Sequence, residues 1–487
     1  MSRPFDEARY KGLLEGLEVA VLSLSEVREE NRVFRYDTQY FGKTALTAEA
    51  RIKRGKWERL VKLAVGVESF GAYALTNEFA YVDEGIPFLR CVNIRNGFAD
   101  FRDVLFINKK ANDLLAKSEV RPNMVLLTMS GSVGNATVSL ESWNYPINSN
   151  QDIAKITPKR GVSPFYLAAF IGSRYGQIQM ERLPVGSVQQ HIFLWMIEQI
   201  VVARFSQVFE EALSNVVRSA YEIQAACRTY QEQAEQTLLR DLGLQNWQPP
   251  QSLTYTRSAS EAFTAGRLDA DYFEPKCGEM IAKMAIHGEC VNLDTLLDVN
   301  RRGKQPQYAE IGLPVINSKH VLKNEVRLNE DNAFATTSED ALKIENGDVL
   351  INGTGVGTIG RTAAYLHDTP ALPDNHVTIL RPHAGAIDPV YLAVYLNAIA
   401  GQWQVEKYLR GSSGQIELYP VDIAQFKICL APDAIQQKIR ELVISAFSAR
   451  RQAHALLEAA KRAVEIAIEG SEAAALDYLA EFLPTTA

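Results

Sequence analysis

The sequence is poor in the residue arrangements that most catalysis requires. Its seven histidines are scattered, and none stands at a metal-ligand spacing from another. There is no G-x-x-x-x-G-K-[ST] loop for nucleotide phosphates, no H-E-x-x-H pair for zinc and no G-x-S-x-G nucleophile elbow. An N-P-P-[YF] or D-P-P-[YF] run, which an amino-methyltransferase uses to hold its target base, is also missing. Five cysteines, at Cys91, Cys227, Cys277, Cys290 and Cys429, form no C-x-x-C pair. That spacing suits thiols in a reducing cytoplasm and argues against a disulfide framework or a zinc ribbon. No apolar run has transmembrane length, and no signal-peptide core follows Met1. A cytoplasmic, non-catalytic protein without cofactor or metal is therefore expected.

Basic charge is short as well. The net charge is −7, with 51 Lys and Arg against 58 Asp and Glu. Phosphate binding is driven largely by cations, so any contact with nucleic acid must use local patches or help from a partner. The charge is uneven. Arg301, Arg302, Lys304, Lys319, Lys323 and Arg327 crowd one stretch against only Glu310 and Glu325. The stretch 206–241 is acidic instead.

What remains is globular. Hydrophobic residues make up 47% and charged residues 22% of 487 residues, which is too long for one ordinary core and fits two or more domains. The chain also repeats itself. Arg35-Tyr36-Asp37-Thr38-Gln39-Tyr40-Phe41 returns as Arg267-Leu268-Asp269-Ala270-Asp271-Tyr272-Phe273. Later matches follow in the same order: Gly85-Ile86-Pro87 with Gly312-Leu313-Pro314, and Ser130-Gly131 with Thr354-Gly355. Ser132-Val133-Gly134 answers Thr358-Ile359-Gly360, Asn150 answers Asn375, and Gly186-Ser187 answers Gly411-Ser412. A collinear series over so long a unit predicts two domains of one kind, each with its own core, and not a solenoid.

Each copy reads as short strands and turns, such as 87–94, 124–129 and 348–352, then a short helix near 164–173 or 389–400. A long helix follows, at about 206–239 and 433–468. Apolar residues alternate at spacings of four and three: Phe209, Leu213, Val216, Ala220, Ile223, Cys227 and Tyr230, then Ile439, Val443, Ala446, Ala453, Leu457, Ala460, Val464 and Ala467. That is a coiled-coil seam, in which Arg450 is expected to set register. Gly243 and the pair Pro249-Pro250 end the first long helix. The expected class is α+β, divided as 1–205, a first long helix 206–240, a linker 241–251, 252–432, and a second long helix with its tail, 433–487.

Gly355-Val356-Gly357-Thr358-Ile359-Gly360 matches G-x-G-x-x-G, but Arg361 to Leu366 reads as a strand and not the helix a dinucleotide site requires. It is either a loop that admits DNA backbone to main-chain N–H groups or a plain hairpin turn. The loop of Arg301, Arg302, Lys304 and Gln305 carries side chains suited to base edges. Candidate DNA contacts in the first copy are Lys53, Arg54, Arg90, Arg95, Ser130, Ser132, Asn150, Gln151, Ser187 and Gln189. In the second they are Arg301, Arg302, Lys304, Gln305, Lys319, His320, Thr354, Thr358, Arg361, Asn375, His376, Ser412, Ser413 and Gln415.

The doubled plan, the R-x-D-x-x-Y-F openings, Gly347-Asp348-Val349-Leu350-Ile351, Gly411-Ser412-Ser413 and Pro432-x-x-x-Gln436-Gln437-Lys438-Ile439 resemble the specificity subunit of Type I restriction–modification enzymes. The first copy departs from that pattern at Arg204-Phe205-Ser206-Gln207, where a proline and glutamine helix entry is usual. The resemblance implies two β-rich target recognition domains related by pseudo-twofold symmetry and separated by two long antiparallel coiled-coil helices. It implies that each domain reads half of a bipartite site on double-stranded DNA. Two methyltransferase subunits would carry S-adenosylmethionine, and restriction/translocase subunits would join them for phage defence. Two rivals stay open: a protein-binding scaffold, which the acidic charge favours, and a nucleotide-dependent enzyme using Gly355 to Gly360.

Overall fold

The computed structural model describes residues 6–30, 35–69, 80–95, 97–102, 104–186, 190–249, 254–329, 332–337, 341–355, 357–411 and 416–482. It is a mixed helix-and-sheet protein that divides into two compact units. One unit holds Met1–Gln224 with Arg451–Ala487, and the other holds Ala225–Arg450. Both divisions fall inside the long helices, Gln207–Asp241 and Asp433–Glu469, and not at their ends.

In the first unit a four-stranded antiparallel sheet runs in the order Ala64–Glu68, Ile153–Pro158, Val125–Thr128, Ala136–Val138. Its core strand Val125–Thr128 is buried along its whole length, so it reads as an apolar run with no alternation. A second sheet contains one parallel pair, Ile86–Leu89 beside Ile147–Ser149. In the second unit the order is Leu297–Arg302, Val377–Pro382, Val349–Asn352, Thr362–Ala364, again antiparallel. Its other sheet likewise has one parallel pair, Leu313–Ile316 beside Leu372–Pro373.

Each unit covers its antiparallel sheet with a short buried helix: Pro164–Gly172 in the first, Pro389–Asn397 in the second. Both begin with proline, whose missing N–H costs nothing at a helix start. Ser163 and Asp388 cap them by accepting backbone N–H groups. Seven consecutive residues of each, 165–171 and 390–396, are buried, so these helices are apolar all round. Each fully buried large side chain among them stabilises its unit by roughly 1.5–3 kcal/mol. Tyr166 and Tyr391 satisfy their buried hydroxyls on strand carbonyls, Ala203 O at 2.5 Å and Cys429 O at 2.8 Å.

The apolar stripes of the long helices belong to these same cores. In the first unit Phe209, Leu213, Val216 and Ala220 share a cluster with Ala453, Leu457, Ala460 and Val464 and with the sheet. In the second, Ala234 and Leu238 share one with Ile439 and Val443. Arg450 pairs with Glu325 on the strand Glu325–Val326, so its charge is tied to the sheet layer of its unit. The first long helix ends at Gly243, with φ +67°, where Leu244 N–H reaches Leu239 O at 2.8 Å and Gly243 N–H reaches Arg240 O at 3.2 Å. This left-handed closure favours glycine, and a Cβ there would also collide with the His287 ring.

One finding departs from expectation. The strand Cys290–Asn292 pairs with Lys427–Cys429 and sets Cys290 directly opposite Cys429, where the two form a disulfide with Cα atoms 3.9 Å apart. Sequence spacing could not foresee this, because the two cysteines lie 139 residues apart and meet only through strand pairing. Cys91, Cys227 and Cys277 are thiols.

Lys155, on the inner strand Ile153–Pro158 of the first unit, is 1% exposed. Its ammonium donates to Ser149 Oγ at 3.0 Å and to Ile153 O at 3.3 Å. Burial pushes its pKa down to about 8, against the pull of Glu68. Because the folded value lies below the unfolded one, the unfolded chain holds the extra proton between them, and stability rises with pH through that window. Tyr221 and Tyr145, pushed up to about 12 by burial, act oppositely above pH ~10. The Cys277 thiol, pushed up to about 11 by burial, opposes the rise already above pH ~9, so a melting temperature that climbs from pH 8 to about pH 9 is expected. Lys155→Met should flatten the climb and, near neutral pH, relieve a cost on the order of 3 kcal/mol. A variant with the same pH profile as the parent would refute this account.

Candidate nucleic-acid interface

In each unit three loop segments far apart in sequence meet at one end of the antiparallel sheet. In the first, the glycine loop after Val125–Thr128 is held from within. Thr128 Oγ donates to Ser132 O at 2.5 Å, and Gly134 N–H reaches Thr128 O at 3.0 Å. His191 bridges Ser130 on that loop and Val185 just before the Gly186 turn. Asn150 closes the group: its N–H bonds Leu89 O at 2.9 Å and its amide donates to Asp152 at 3.1 Å. Arg90 adjoins it, since its neighbour Cys91 contacts Asp152 O at 3.1 Å.

The second unit repeats the scheme with other side chains. Glu417 bridges Thr354 on the glycine loop and Arg410 just before the Gly411 turn. His376 Nδ1 lies 2.7 Å from Thr354 Oγ, and the His376 carbonyl accepts Gly353 N–H at 2.8 Å. Thr358 Oγ donates to Thr354 O and Gly355 O, both at 3.2 Å. The loop joins two antiparallel strands, Val349–Asn352 and Thr362–Ala364, and no helix follows it, so it lacks the dipole that a dinucleotide phosphate would meet.

The remaining candidates divide. Asn352 ties the Lys319 turn to the glycine loop by donating to Ser318 O at 3.0 Å and Thr358 O at 3.2 Å. Lys319 is exposed there, whereas His320 is 3% exposed and accepts the Asn317 N–H at 3.2 Å, supporting the turn from inside. Arg301, Lys304 and Gln305 are exposed; Asn375, Arg361 and Gln151 are half-buried. Arg302 serves the architecture: it bonds Gly353 O at 3.0 Å, Leu418 O and Glu417 at 3.3 Å, and lies over the Tyr419 ring. Burial and ready partners consume its charge. Lys53 ion-pairs with Glu49 at 2.9 Å at the end of the helix Lys43–Ile52, Arg54 follows it, and Arg95 sits on the hairpin strand Ile94–Arg95. Ser187, Gln189, Ser412, Ser413 and Gln415 lie outside the described residues.

One functional group had been noticed in the sequence only as a repeat. In the R-x-D-x-x-Y-F segment, Arg35 is held by Asp37 and donates to Leu183 O at 3.2 Å and Pro184 O at 3.1 Å. Arg267, held by Asp269 at 2.7 Å, donates to Leu409 O at 2.8 Å. Each arginine thus clamps the chain two or three residues before Gly186 or Gly411. The guanidinium hydrogen bond holds the Asp37 and Asp269 carboxyls below the usual carboxylate range. Both aspartates are partly exposed, so solvent screens the pair. Arg267→Met should lower stability by about 1–2 kcal/mol, read by thermal unfolding, and Arg267→Lys should recover only part, because an ammonium cannot hold carboxylate and carbonyl in one fork. Unchanged melting in Arg267→Met would remove the clamp.

Among the described residues no three His, Cys, Asp or Glu side chains converge as a metal site, and no helix is long and apolar enough to cross a membrane.

Solved structures similar to this chain come from Type I restriction–modification systems. They include the S subunit from M. genitalium, at 12% identity and a TM-score of 0.37, covering 89% of this chain and 96% of that one. The HsdS subunit from Thermoanaerobacter tengcongensis follows at 14% identity and 0.27, covering 87% and 96%. A structure of complex assembly and conformational transition in a type I R-M system stands at 14% and 0.28, covering 88% and 97%. No protein-family model matches the sequence, and no curated protein matches it.

Proposed function

We propose that this chain is the specificity subunit of a Type I restriction–modification enzyme: a non-catalytic protein that recognises a bipartite site on double-stranded DNA. One observation carries the reading. In both units one residue, His191 or Glu417, bridges a Ser/Thr-Gly loop and the residue just before Gly186 or Gly411, with different polar side chains at equivalent places. Glycine loops let a phosphate backbone approach main-chain N–H groups, and varied polar side chains beside them can discriminate base edges. A doubled unit with unlike loops reads two unlike half-sites, which a homodimer cannot.

In this reading the two units are target recognition domains related by a pseudo-twofold axis, and the long helices, whose stripes also pack into the cores of the units, pair antiparallel as a spacer. The helices have 35 and 37 residues, so each is about 50 Å long, compared with about 34–36 Å per DNA turn. The net charge of −7 makes tight DNA binding the property of a complex. Its other members are two methyltransferase subunits, which bring S-adenosylmethionine, and the restriction/translocase subunits, all in the cytoplasm. Deleting the gene should erase one bipartite motif from the host methylome, and a methylome that keeps every motif would end this reading. The same net charge favours the rival, a scaffold that binds only proteins. Salt-dependent binding of random duplex, measured with and without the partner subunits, separates the two.

A further inference from the structure

Just beyond the bridges, both units expose an aromatic ring at an equivalent place. Two residues after His191 comes Phe193, the first flank of the helix Leu194–Ile197, and it is 44% exposed. Two residues after Glu417 comes Tyr419, the first flank of the helix Pro420–Ile423, and it is 38% exposed. Single exposed rings are ordinary on a protein surface, so what sets these two apart is their matching place beside the bridges.

Both rings are also braced. The Phe193 ring lies nearly parallel to Trp195, itself 41% exposed, with centroids 6.4 Å apart and planes 9° apart; His191 meets it edge-on at 5.2 Å. Tyr419 lies under the Arg302 guanidinium at 5.3 Å, and its hydroxyl hydrogen-bonds Glu417. An exposed ring held by such neighbours beside a glycine loop suits a base, which presents a flat face to the ring.

We infer that Phe193 and Tyr419 are stacking platforms, one per recognition unit, for a base displaced from the duplex stack. The inference rests on the DNA-recognition reading above and adds to it which groups grip an unstacked base. Arg302 then serves twice, by holding the loops together and by fixing the ring.

The test uses the full chain in the complex it forms in its host, and two fluorescent duplexes carrying the host motif. One duplex is intact, and the other has a single unpaired thymine within the motif. Wild type should bind the bulged duplex more tightly. Phe193→Ala and Tyr419→Ala should each weaken binding of the bulged duplex by roughly fivefold to a hundredfold, the range for one base–aromatic stack, and weaken the intact duplex less, because there the cost of unpairing a base offsets part of the stack. Phe193→Tyr and Tyr419→Phe should keep the preference, which separates stacking from misfolding. Equal binding of both duplexes by wild type overturns the inference and leaves DNA recognition standing. So does an equal loss on both duplexes in the alanine variants. Alanine variants that bind DNA normally but lose a co-purifying subunit would make the rings a protein contact. Failure of wild type to bind either duplex sinks the recognition reading itself.

Discussion

Exchanging residues 28–205 for the same segment of another specificity subunit should change one half of the methylated motif completely and leave the other half as it was. The physical basis lies in the sheets. Among the described residues every paired strand of the first unit falls between Lys56 and Arg204, so the exchange moves those ladders whole with their loops. The junction must respect the core, because Phe205 stacks edge-on with Phe209 of the long helix at 4.9 Å, and Leu213, Val216 and Ala220 share a cluster with the sheet. A donor segment that fills this boundary badly would lose stability by about 2–5 kcal/mol for each large side chain not replaced. Methylome sequencing of the recipient reads the outcome, and a change in both half-motifs would contradict independent recognition by the two units.

Inserting one heptad into each long helix should lengthen the gap between half-motifs and keep both halves unchanged. Seven residues preserve the seam, because they return the apolar stripe to nearly the same face. They add about 10 Å at 1.5 Å per residue, close to three base pairs of DNA at about 34–36 Å per turn. In the proposed arrangement the spacer follows the helices, so insertion in one helix alone should disrupt the pairing and abolish recognition. The positions between Gln224 and Ala225 and between Arg450 and Arg451 are the natural sites, since the compact units divide there. Methylation mapped with the old spacing in the double insertion would refute the ruler.

The long helices were legible because their signal is local. An apolar residue every three or four positions defines Gln207–Asp241 and Asp433–Glu469 to within a few residues, and Gly243 marks the first stop. The buried helices after Ser163 and Asp388 and the non-Rossmann character of Gly355 to Gly360 were legible for the same reason. The candidate site was legible as a set of repeated motifs and not as a place. Ser130 and His191, or Thr354 and Glu417, meet only because sheet order folds distant segments together.

Sequence by itself determined the long helices, the buried short helices and the recurrence of motifs, since propensity, periodicity and residue identity are local properties. Only the tertiary structure decided which cations remain available. Arg301 and Arg302 are identical neighbours in composition, yet alternation along one strand leaves the first in water and turns the second onto Gly353, Glu417 and Tyr419. It also decided that Cys290 meets Cys429, that Lys155 is buried and that Phe193 and Tyr419 are not. Burial and pairing are properties of the packed chain, because each depends on what a distant segment places against the residue.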